Sequence, residues 1–180
     1  MKTIVIFDTE TTGLPKPSVI SAEGQPKIIE LGAIKVSPSG EEIETLSLLF
    51  NPKEKLEEKI TKITGLTDED LRDKPTFAES LPEIRRFFEG VGEAVAHNAQ
   101  FDKSMLIWEL ERAACNDFPL PDRFTCSANE YQFLFGYVPS LAHLYKHSTG
   151  EELAQTHRAL DDAFALLEVL RREDFFHVAA

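Results

Sequence analysis

The stretch TIVIFDTETTGL, residues 3–14, decides how this chain is read. Residues 3–8 are mostly β-branched and aromatic, which predicts a short buried strand. That strand runs straight into Asp8-Thr9-Glu10. Side chains alternate along a strand, so Asp8 and Glu10 share a face, about 6.6 Å apart, while Thr9 points the other way. Adjacent carboxylates repel unless a cation lies between them. Hard oxygen donors of this kind suit Mg²⁺ or Mn²⁺. Taken alone, the pair reads more simply as a strand end emerging into water.

Outward from this strand, Pro15, Pro17, Gly24 and Pro26 make 15–26 a loop. Residues 27–36 and 43–50 read as two further strands around Pro38 and Gly40, so the sheet begins as an antiparallel meander. Thr67, with Asp70 three residues on, marks a helix start at 67–71. Phe77, Leu81, Ile84 and Phe88 predict a helix over 76–89. A short strand at 93–97 and a helix at 101–113 follow. Helices are expected over 125–135 and 140–147, and a last one over 158–172. The pattern is an α/β fold, a mixed sheet flanked by helices, in a single domain over 1–180.

Composition agrees. Of 180 residues, 42% are hydrophobic, enough for one core. No apolar run is long enough to span a membrane, and the N-terminus has no signal-peptide pattern. Cys115 and Cys126 are too few for a disulfide framework or a zinc site, so a cytoplasmic protein is expected. The net charge of -12 argues against coating nucleic acid by bulk electrostatics. It leaves room for an enzyme that holds a few phosphates through metal ions.

Two more carboxylates bear on the Asp8-Glu10 pair. Asp102, in HNAQFD (97–102), opens a helix and lies in line with Met105 and Leu106. By itself it reads as a helix-start acid favoured by the macrodipole. In THRALDDAFALLEVLRR (156–172), periodicity separates two neighbours. Asp161 shares a face with Ala165, Glu168 and Arg172, a polar stripe. Asp162 shares one with Leu166 and Val169, and Leu160, Phe164 and Leu167 add an apolar row. Asp162 therefore points inward. His157, five residues earlier, is a candidate base, because imidazole titrates near working pH. Buried acids are rare unless paired or metal-bound. Four inward carboxylates on separate elements thus predict a divalent-metal site.

With these residues in hand, the sequence resembles the DEDD superfamily of 3′–5′ exonucleases, in its His-containing DEDDh branch. FDTETTGL, AHNAQFD and HRALDDA look like its three motifs in order, and the likeness covers roughly residues 3–172. Within that family it is similar to the proofreading subunit of bacterial replicative DNA polymerase. Two departures stand out: Thr64-Gly65 where relatives often have His-Gly, and FTCS (124–127) where Asp-Thr is usual.

The resemblance implies a ribonuclease H-like fold and two-metal hydrolysis with Mg²⁺ or Mn²⁺. Asp8, Glu10 and Asp162 would hold one metal. Asp8 would bridge to a second, which Asp102 holds through water, and His157 would be the base. It also implies that Thr11, Gly13 and Leu14 hold the terminal nucleotide, with Asn98 and Phe101 shaping the second-motif side. The implied substrate is the 3′ end of single-stranded DNA, with RNA as the alternative. The implied partner is a polymerase or a second copy of the chain.

Overall fold

The computed structural model describes residues 2–154 and 156–176. Five strands form one sheet: β1 (Thr3–Thr11), β2 (Ile28–Val36), β3 (Glu42–Leu49), β4 (Val91–Ala96) and β5 (Arg123–Cys126), in the order β3-β2-β1-β4-β5. β1 pairs antiparallel with β2, and β2 with β3, as the expected meander requires. β4 runs parallel to β1 and β5 parallel to β4.

The helices are α1 (Glu58–Thr64), α2 (Asp68–Arg72), α3 (Phe77–Phe88), α4 (Ala99–Arg112), α5 (Ser127–Glu130), α6 (Leu141–Thr149) and α7 (Ala159–Arg172). Their starts follow local chemistry. Thr67 with Asp70, and Thr76 with Glu79, form reciprocal capping boxes that satisfy the first free backbone N–H groups.

Both faces of the sheet are covered, so β2 is buried at all nine positions. On one face Val5, Phe7 and Ala94 pack against Ile84, Phe87 and Phe88 of α3 and Met105 and Leu106 of α4. On the other, Ile6, Ile34 and Val95 pack against Leu166, Val169 and Leu170 of α7. Each such large side chain contributes about 1.5–3 kcal/mol by leaving water. The alternation within β1 carries the point: Val5 and Phe7 face α3 and α4, while Ile6 faces α7. Continued by two residues, it sends Asp8 and Glu10 toward α7 and Thr9 toward α4.

The structure departs from expectation in four places. β1 runs on to Thr11, because Thr9 and Glu10 still pair with Leu31 and Glu30. The helical stretch expected over 125–135 begins instead with the end of β5, and only α5 and a 3-10 turn at Gln132–Leu134 are helical. Parallel pairing to β4 satisfies this backbone, and four residues are too few for a period-2 pattern to register. The short α1 was not expected. On α7, Ala165 is buried although it lies in the polar row, and Phe164 is 38% exposed although it lies in an apolar one. A helix pressed on a sheet buries its small residues at the line of closest approach. Among the described residues, no helix is long and apolar enough to cross a membrane.

Candidate active site

The site forms where β1 ends, and both helical layers reach it. Asp8 lies opposite Gly32 of β2, and Glu10 opposite Glu30. Gly32 lets α7 come close: a Cβ there would lie 2.1 Å from the backbone N of Leu160. The first turn of α7 thus presses directly on β2, bringing Asp162 and the preceding His157 beside Glu10. Ligand atoms of Glu10, His157 and Asp162 all lie within 4.8 Å of one another. Asp162 is half-buried and Asp161 exposed, as helical periodicity predicts.

Asp102 arrives from the opposite layer. It sits in the first turn of α4, is 1% exposed, and accepts a hydrogen bond from Thr9 Oγ1 at 2.7 Å. Thr9 does point away from Asp8 and Glu10, and that direction is what lets it receive Asp102. This role was not foreseen, because nothing in DTE says which helix will lie over the middle residue.

The electrostatics are those of crowded acids. Burial pushes Asp8 well above the usual carboxylate range, and the charges of Asp102, Glu10, Asp162 and Glu30 push it further. Glu10 is pushed up to about 8, first by burial and then by Asp162, Glu30 and Asp102, against an opposing pull from Arg158. Asp102 is raised to about 7 by burial, with the Thr9 hydroxyl acting the other way. Asp162 is raised by burial, opposed by His157. A hard divalent cation would relieve this repulsion, and a carboxylate-rich donor set with one imidazole fits such an ion. The 4.8 Å span is slightly wider than the roughly 4.2 Å between opposite ligands of Mg²⁺, so small side-chain rotations would close it. His157 belongs to this tight group, whereas Asp8 and Asp102 stand outside it.

Two further residues escaped the sequence reading. Glu30 is 1% exposed, and Arg158 donates to both of its carboxylate oxygens at 2.9–3.0 Å. The available signal was a single acid in the apolar strand KIIELGAIKV.

A cavity of about 830 Å³ opens beside Glu10 between the 12–26 loop and α1. Thr11, Gly13, Leu14 and Phe101 line it, with Leu14 77% exposed at its wall. Thr11 Oγ1 donates to the Gly13 carbonyl and shapes the turn there. Thr64 lines it too, its hydroxyl turned back to the Ile60 carbonyl. Asn98 is not among the lining residues. It caps α4 from a left-handed conformation, φ 69°, with its side chain exposed. His97 bonds Ser127 and the Pro139 carbonyl, and burial lowers its pKa. It ties β4 to its neighbours rather than joining the acids.

The central strand of a mixed five-stranded sheet thus ends in clustered acids. The chain belongs to the RNase T exonuclease family, whose model matches residues 5–170. It is 34% identical, over 92% of its length, to the PolC-type DNA polymerase III of Caldanaerobacter subterraneus. It is likewise 34% identical over 93% of its length to that of Clostridium perfringens. It spans 11% of each of these relatives. Among solved structures it is similar to E. coli ExoI bound to single-stranded DNA in a zinc-bound form (TM-score 0.77, 18% identity, 97% of this chain and 41% of that one). A 3′-exonuclease that recognises histone mRNA stem-loops gives 0.76, 16%, 97% and 83%, and exonuclease X with 5′-overhanging duplex DNA gives 0.64, 23%, 93% and 89%. At these identities the likeness establishes the shared ribonuclease H-like fold. The family match supports exonuclease activity for this chain.

Proposed function

We propose that this chain removes nucleoside 5′-monophosphates from the 3′ end of single-stranded DNA, using two Mg²⁺ or Mn²⁺ ions held by Asp8, Glu10, Asp102 and Asp162. The observation that carries this reading is the cluster of Glu10, His157 and Asp162 at one strand end, with Asp8 close enough to feel the charges of Glu10, Asp102 and Asp162, beside a cavity with room for nucleotides. When bound, the ions lower the pKa of a water and offset charge at the phosphate.

The chain's own residues supply the rest. Thr9 aims Asp102 and favours its ionised form against the effect of burial, because its hydroxyl bonds the charged carboxylate. His157, beside Glu10 and Asp162, accepts a proton from the attacking water. The water oxygen bonds to phosphorus, and the 3′-oxygen leaves with its electron pair and takes a proton from solvent. Leu14 and Phe101 offer apolar contact to the terminal bases, which favours unpaired ends. Lys16, Lys55 and Lys59 line the same cavity and would face the phosphates. The 1–180 chain would act as one exonuclease domain in the cytoplasm. Because the PolC-type relatives hold the matching segment within a polymerase, proofreading or repair beside a polymerase is the proposed setting.

The test is a sequencing gel of 5′-labelled DNA and RNA oligonucleotides of matched sequence with Mg²⁺, Mn²⁺ or EDTA. We expect a metal-dependent ladder shortening from the 3′ end, faster on DNA, lost in Asp8→Ala and cut in His157→Ala to a residual rate that enzyme in excess still reads. Faster cleavage of RNA would replace the substrate. Intact oligonucleotides with folded protein would reject the activity.

A further inference from the structure

His157 is held in an unusual backbone state. Its φ is 48°, in the left-handed region that non-glycine residues seldom adopt. It lies outside α7, so no helical hydrogen-bond ladder holds that conformation. Something next to it must.

The neighbour is Arg158. It is the N-cap residue of α7, and its carbonyl accepts the first helical bond, from Asp162 N at 3.0 Å. Its guanidinium reaches back to β2 and grips both oxygens of Glu30. Glu30 and Gly32 lie two apart on β2 and so face the same side. Gly32 admits the backbone of Ala159 and Leu160, and Glu30 anchors the residue just before them. The start of α7 is therefore fixed to β2 at two adjacent points. One edge of that attachment is His157, and one turn inside it is Asp162.

The pairing also has an electrostatic cost that needs explaining. Glu30 stands directly across from Glu10, and like charges opposite one another destabilise a sheet. A glutamine would avoid that repulsion if the position served packing alone. A carboxylate is what a planar guanidinium fork can grip in a fixed orientation.

Resting on the nuclease reading above, we propose that Glu30 and Arg158 are positioning residues that hold the His157 imidazole against Glu10 and Asp162. Arg158 acts through His157 and does not touch substrate.

Two conservative variants test this. Arg158→Lys keeps the charge and loses the fork. Glu30→Gln removes the charged partner. Each should lower kcat about tenfold to a hundredfold, the usual effect of removing a group that orients a site residue, with KM for the oligonucleotide unchanged. In a His157→Ala background, Arg158→Lys should cost nothing more, since residues acting in series are not additive. An independent readout is the His157 ring signal in NMR of the metal-free protein, identified by its loss in His157→Ala. It should shift in both variants while the remaining histidine signals hold.

Unchanged kcat with an unmoved His157 signal would overturn the proposal. So would a full further loss on Arg158→Lys in the His157→Ala background, which would mean that Arg158 works independently. If the wild type cleaves no oligonucleotide, the nuclease reading fails, and the NMR signal then decides the positioning claim by itself.

Discussion

Thr9 and Asp102 lie 93 residues apart in sequence and meet in the buried interior at 2.7 Å, hydroxyl to carboxylate. One comes from the strand that carries the acids and the other from a helix on the opposite face of the sheet. Their contact closes the site from that side.

Removing it has a defined consequence. Thr9→Val keeps the shape and deletes the donor. A hydrogen bond to a charged group is worth about 1.5–3 kcal/mol, so activity should fall about tenfold to a hundredfold. Asp102, already raised to about 7, would rise further. The acid limb of the pH–rate profile should therefore move to higher pH. A profile that stays in place would show that the hydroxyl does not tune Asp102.

Repulsion among the acids predicts stabilisation by divalent ions. At about a hundred times its dissociation constant, a bound ion adds about 2.7 kcal/mol. Differential scanning fluorimetry should then read a rise of about 5–10 °C in Tm with Mn²⁺. Asp8→Asn should raise the Tm of the metal-free protein, since it removes a carboxyl that must either be buried charged or take up a proton on folding, and should blunt the response to Mn²⁺. A metal-free variant less stable than wild type would contradict this account.

The same repulsion sets a pH dependence. Glu10 titrates at about 8 in the fold, against 4.5 when unperturbed, and Asp102 at about 7 against 3.8. Between these limits the folded chain binds more protons than the unfolded one, so stability falls as pH rises. In EDTA, Tm should drop steadily from pH 5 to pH 8.5, and saturating Mg²⁺ should flatten the slope. A metal-free Tm that climbs over this range would reverse the sign and the assignment.

Gly32 should tolerate no side chain. Gly32→Ala sets a methyl 2.1 Å from the Leu160 backbone and must push α7 off β2. Overpacking of this kind should cost about 3 kcal/mol or more. Activity should fall with stability, since His157 and Asp162 move with the helix. Gly13→Ala meets no atom within 4 Å, and its effect on stability should stay within about 0.5 kcal/mol. Equal thermal shifts in the two variants would refute the close-approach argument.

Much of this was legible in the chain. Alternation along TIVIFDTE put Asp8 and Glu10 on one face, and helical periodicity over 156–172 separated Asp162 from Asp161. Both patterns state how a side chain points relative to its own element, and that is a local property. They carry no information about which element arrives from elsewhere. The contact of Thr9 with Asp102, the grip of Arg158 on Glu30 across 128 residues, and the fifth strand at 123–126 each depend on a partner distant in sequence. The acids and their directions were written in the residues. Their meeting at one strand end was decided by packing, because two helical layers close on the same sheet from opposite sides.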